Sequence, residues 1–115
     1  MTEVPSELPG ADLVADGIAA LRRGELTVEA LVVAVGARRL RAAGLGLPPA
    51  PELPDSPELA LYSVLGAAHP RDTHARYNGL IRRLVSFERA LDRRSRHGRE
   101  RTNAGRELAP QNATK

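Results

Sequence analysis

The chain has 115 residues, 17 basic and 14 acidic, for a formal charge of +3. It contains no Cys, which removes disulfide frameworks, thiolate metal sites, iron–sulfur clusters and Cys nucleophiles. Leu, Ile, Val and Phe make up 27 residues, enough for one small core, but with a single Phe and no Trp that core rests on Leu, Val and Ala.

Residues 1–10 carry Glu3, Pro5, Glu7 and Pro9. They have neither a basic n-region nor an apolar h-region, so they read as a flexible N-terminus and not as a signal peptide. A first helix is predicted from about Asp12, a candidate cap, with Leu13, Val14, Ile18 and Leu21 at helical spacing and Gly24 at its end. Thr27 is placed to cap a second helix, whose apolar face is Val28, Leu31, Val32 and Val35 and which Gly44 closes.

Residues 44–57 form a Pro-rich connector. Pro48, Pro51, Pro54 and Pro57 recur at the three-residue period of polyproline II. Leu47, Ala50 and Leu53 share another phase of that period, which predicts one apolar edge laid against the helices. Ser56-Pro57-Glu58 then starts a third helix with a cap, a Pro and an acid. Leu59 to Ala68 carries no charge, and a helix apolar on most sides is usually central. Asp72 is a candidate cap for the fourth helix, whose stripe is Tyr77, Leu80, Leu84, Phe87 and Leu91. Past Leu91 there is nothing apolar to bury, and residues 98–115 read as a disordered basic tail. The prediction is an all-α fold: a small four-helix domain over residues 11–97, with the connector at 44–57 and the tail at 98–115.

Charge is unevenly spread. Residues 1–60 hold five Arg against nine acids, a net of −4; residues 61–115 hold twelve basic residues against five acids, a net of +7. The chain is rich in Arg, Ala, Gly and Pro, all with G/C-rich codons, and a high-GC bacterial genome accounts for that bias. The pI near 10.2 is therefore weak support for nucleic acid.

The densest polar cluster is His69, Asp72, His74, Arg76, Tyr77 and Asn78, the candidate binding residues of the chain. His69, Asp72 and His74 are metal-ligand types, but their spacing fits no standard zinc motif, and helix-turn chemistry explains Pro70 and Asp72 adequately. The expectation is no metal and no cofactor. No nucleophile elbow, triad or P-loop is present, since the only Lys is Lys115, and an enzyme is not expected.

A second set of candidates would serve nucleic acid. Leu26 to Leu31 starts as many helix-turn-helix units do. With Gly36 as the turn, Ala37–Ala43 would be a short recognition helix carrying Arg38, Arg39 and Arg41. The C-terminal arm adds Arg93, Arg94, Arg96, Arg99, Arg101 and Arg106 as candidate phosphate contacts, with no aromatic for base stacking.

These observations lead to a small intracellular, cytoplasmic helical binding or adaptor protein acting through protein–protein contact. The alternative is nucleic-acid binding through Arg38, Arg39 and Arg41 or the C-terminal arm. No stretch is long enough to span a bilayer, and no small-molecule substrate is evident. Leu59 and Tyr62 exceed what the neighbouring helices should cover, which makes the chain itself a candidate partner, as a two-fold homodimer.

Overall fold

The computed structural model describes residues 4–49 and 56–108, with side chains as far as Arg96. The fold is all-α: α1 (Ala11–Arg22), α2 (Val28–Ala42), α3 (Pro57–Ala68) and α4 (Thr73–Leu108). No strand occurs among the described residues.

Local chemistry sets most helix ends. Thr27 and Ser56 are the N-caps of α2 and α3; their hydroxyls accept from the N–H of Ala30 at 3.1 Å and of Leu59 at 3.2 Å. Gly24 and Gly44 take positive φ of 74° and 99° just past α1 and α2, where a Cβ would be strained. The two Asp caps are corrections. The N-cap of α1 is Gly10, at φ 79°, while the Asp12 carboxylate reaches Arg83 on α4 at 3.3 Å. Asp72 does stand just before α4, its carbonyl accepting from the Arg76 N–H at 3.0 Å, but its carboxylate pairs with the Arg76 guanidinium at 3.0 Å instead of a backbone N–H. Each Asp has an arginine within reach, and a charged donor competes well with a backbone N–H. Asp72→Ala should therefore cost less than about 0.5 kcal/mol, as for an exposed i,i+4 pair. A loss of 1 kcal/mol or more in urea unfolding would restore the capping role.

Helix α2 is central. It packs against α1, α3 and α4 and buries Ala30, Leu31, Val32, Val33, Gly36 and Leu40. Helix α3, expected at the centre, buries only Leu61 and Leu65. Its lack of charge is a property of its outer face as well as its inner one. The α4 stripe lies where periodicity put it: Leu84, Phe87 and Leu91 are buried, and Tyr77 and Leu80 pack at the margin.

The segments between helices are partly docked. Leu45 is buried, Leu47 packs on the core, and the Pro48 carbonyl accepts from Arg41 Nη2 at 3.4 Å. Ala50 and Leu53, the rest of the predicted edge, lie outside the described residues. In place of a flexible start over residues 1–10, Val4 and Leu8 pack against the core, and Glu7 pairs with Arg94 of α4; residues 1–3 lie outside the described residues. A backbone hydrogen bond, then the Arg94 guanidinium, hold the Glu7 carboxyl below its ordinary value of 4.5. A depressed carboxyl stabilises the fold above its unfolded value and ceases to do so as pH falls through its folded value. Protection of the amides around Leu8, relative to their intrinsic exchange rates, should thus begin to fall below about pH 4.5, before that of the α2 core. An equal fall in both would remove Glu7 as the cause.

The α4 backbone stays helical to Leu108, past Gly98 where the basic tail was expected to begin. Residues 109–115 lie outside the described residues. Among the described residues, no helix is long and apolar enough to cross a membrane.

Candidate functional site

The polar cluster folds into the corner between α3 and α4. His69 ends α3, donating its N–H to the Leu65 carbonyl at 2.7 Å. Its own carbonyl accepts from the Thr73 hydroxyl at 2.7 Å and the Asp72 N–H at 3.2 Å, which ties the turn to the first residue of α4. The cluster's side chains then part. His74 and Tyr77 lie beside Tyr62 of α3, with ring centroids 6.5 and 5.3 Å from it in edge-on geometry. His69 and Arg76 border a cleft on another side of the corner. Asp72 is paired with Arg76, and Asn78 is half-buried on α4. His69, Asp72 and His74 do not converge, and no group of three His, Asp or Glu gathers among the described residues.

The cleft has a volume of about 450 Å³. Val28, Leu65 and Leu80 supply its apolar walls, and Glu29, His69, Arg76 and Arg83 its polar ones. Gly79 keeps it open: a Cβ there would meet nothing within 4 Å. Arg76 and Arg83 are seven residues apart, so they share one face of α4 about 10 Å from each other, with Gly79 and Leu80 between them. Both are exposed and paired only at the surface, with Asp72 and Asp12, and such pairs exchange partners at little cost. Val28 comes to this cleft from α2, a meeting that nothing local in the sequence marks.

A second cleft, of about 600 Å³, lies between the end of α2 and the middle of α4. Glu88, 8% exposed, is at its wall and pairs with Arg39 Nε at 2.8 Å. Glu88 holds the Arg39 guanidinium above its ordinary value, first through that hydrogen bond and then through charge. The other carboxylate oxygen is enclosed against Gly36, where a Cβ would stand 2.4 Å from it, and has no hydrogen-bond partner among the described residues. Gly36 therefore makes room for α4, and α2 runs through it as one helix. The turn and the short recognition helix at Ala37–Ala43 are not formed.

Four of the nine arginines suggested for phosphate binding have partners within the chain. Arg39 is held by Glu88, Arg41 by the Pro48 carbonyl, Arg94 by Glu7, and Arg96 by Asp92 at 3.2 Å. Arg38 and Arg93 are exposed. The side chains of Arg99, Arg101 and Arg106 lie outside the described residues. Comparison of the chain with protein-family models, with curated proteins and with solved structures finds no match.

Proposed function

We propose that this is a protein-binding module whose cleft at the α3–α4 corner takes an acidic peptide segment carrying an apolar side chain. The observation that carries the reading is an open apolar cleft edged by two guanidinium groups two helical turns apart. An aliphatic side chain would enter over Gly79, between Val28, Leu65 and Leu80. Carboxylates on the neighbouring residues would draw Arg76 and Arg83 from their surface partners, and His69 offers a further donor. Binding rather than catalysis suits a site with no nucleophile placed against a base.

The nucleic-acid alternative has less support, because the recognition helix it needs is not formed and Arg39 is held by the buried Glu88. Fluorescence anisotropy with a set of acidic, apolar peptides, and with a DNA duplex as contrast, tests the choice. The expected result is peptide binding that weakens at least about tenfold in Gly79→Leu, which fills the cleft, and in Arg83→Glu. Peptide affinity unchanged in Gly79→Leu would overturn the reading. So would tighter binding to the duplex that falls steeply with salt.

A further inference from the structure

Helix α3 turns Leu61 and Leu65 inward and leaves an unusual outer side. Leu59, Ser63 and Ala67 fall along it at helical spacing and are exposed, with Tyr62 and Val64 on its two flanks. Leu59 is 54% exposed, Val64 41% and Tyr62 39%; only Leu26 joins them as an exposed large apolar residue among the described ones. No charged residue occurs from Leu59 to Ala68. One exposed apolar residue is ordinary, but three within six residues of an uncharged helix make a patch.

We propose that this face of α3 packs against the same face of a second copy of the chain, antiparallel, about a two-fold axis beside Ser63. In that register each residue faces the one equally far beyond Ser63 in the other copy. Leu59 then lies over the exposed Ala67 of the other copy, so a large side chain meets a small one at both ends of the contact. Close approach of two helices requires such a match. Tyr62 and Val64 sit on opposite flanks, and the two-fold brings each beside its own counterpart. Tyr62 is already held edge-on by Tyr77, which limits the rotamer freedom it has left to lose.

Charge favours the same arrangement. The central face buries no ionised group. Antiparallel pairing brings the Glu58 end of one helix level with the end of the other, near its Arg71, and opposes the two helix dipoles. Parallel pairing would set Glu58 against Glu58 and Leu59 against Leu59. This surface is separate from the cleft bordered by His69, Arg76 and Arg83, so the dimer does not depend on the peptide-binding reading.

Sedimentation equilibrium on the full chain is the first test. A single helix pair covers less than a standard interface, so loading should extend to roughly 500 µM. The weight-average mass should rise from 12.4 kDa toward double that value. Leu59→Glu and Ser63→Arg should each remain at 12.4 kDa with unchanged circular dichroism. The register has its own test, because the chain has no Cys. A short bis-maleimide should link Ser63→Cys chains roughly tenfold faster than chains carrying Ser86→Cys on α4, since the axis raises the effective concentration of the paired thiols. Mixed Leu59→Cys and Ala67→Cys chains should link faster than either alone. A single 12.4 kDa species at the highest loading would overturn the dimer. Ser63→Cys linking no faster than Ser86→Cys would overturn the register.

Discussion

Phe87→Ala is expected to lower stability by about 3–5 kcal/mol, a large share of the 5–15 kcal/mol of a typical domain. Phe87 is the only Phe of the chain and is fully buried near the middle of the α4 stripe. Its Cβ lies close under Gly10, 3.4 Å from where a Cβ on that residue would stand, so the start of α1 rests on it. The core contains no other aromatic of comparable burial that could shift into the space. Leu84→Ala, one turn earlier and equally buried, should cost about 2–5 kcal/mol. Urea unfolding reads both. A Phe87→Ala midpoint within 1 kcal/mol of the parent would mean that α4 is not held through this face.

Gly17→Ala is expected to destabilise by about 2–3 kcal/mol, against the helix propensity that favours Ala by about 1 kcal/mol. Gly17 is inside α1, where it crosses α2. A Cβ there would stand 2.4 Å from the Glu29 carbonyl oxygen and 2.4 Å from Val33 Cγ2. The oxygen belongs to the backbone of a helix and cannot swing aside, so the two helices would have to separate. Gly79→Ala is the matched control. Its Cβ would meet nothing within 4 Å, so propensity acts alone and the variant should gain about 0.5–1 kcal/mol. If Gly17→Ala also melts above the parent, the α1–α2 crossing is wider than described.

How much of this was legible in the sequence depends on how far each signal reaches. Thr27, Ser56, Gly24 and Gly44 act on backbone within a few residues, and each stands at the helix end where a local reading put it. The α4 stripe was legible because periodicity is also local. The rank of the helices was not: α3 has less charge than α2, yet α2 is the one surrounded, because neighbours on three sides are a property of the whole assembly. Glu88 follows Phe87 and looks like a solvated acid. Its burial depends on the missing side chain of Gly36 and on Arg39, both about 50 positions away. Of the candidate site, His69 and Arg76 were found by local density. Gly79 and Arg83 follow Arg76 by helical spacing on one face of α4, while Val28 joins them only because α2 and α4 cross there. Asp12 shows the converse: a good local reason to cap a helix lost to an arginine supplied by the fold.

The length of α4 has a consequence for how the molecule moves through solvent. Its 36 residues span about 54 Å, while Leu91, the last buried apolar residue among the described side chains, is the nineteenth. The described side chains after it, Asp92 to Arg96, add length without adding core. The radius of gyration is 17.5 Å, against about 13 Å for a rounded chain of this length, and the longest dimension is 62 Å against 25 and 21 Å. A single chain of this shape tumbles slowly and elutes early from a sizing column, imitating a particle of greater mass. Elution volume and rotational correlation time would thus report two copies where there is one, and only methods that read mass independently of friction can count chains.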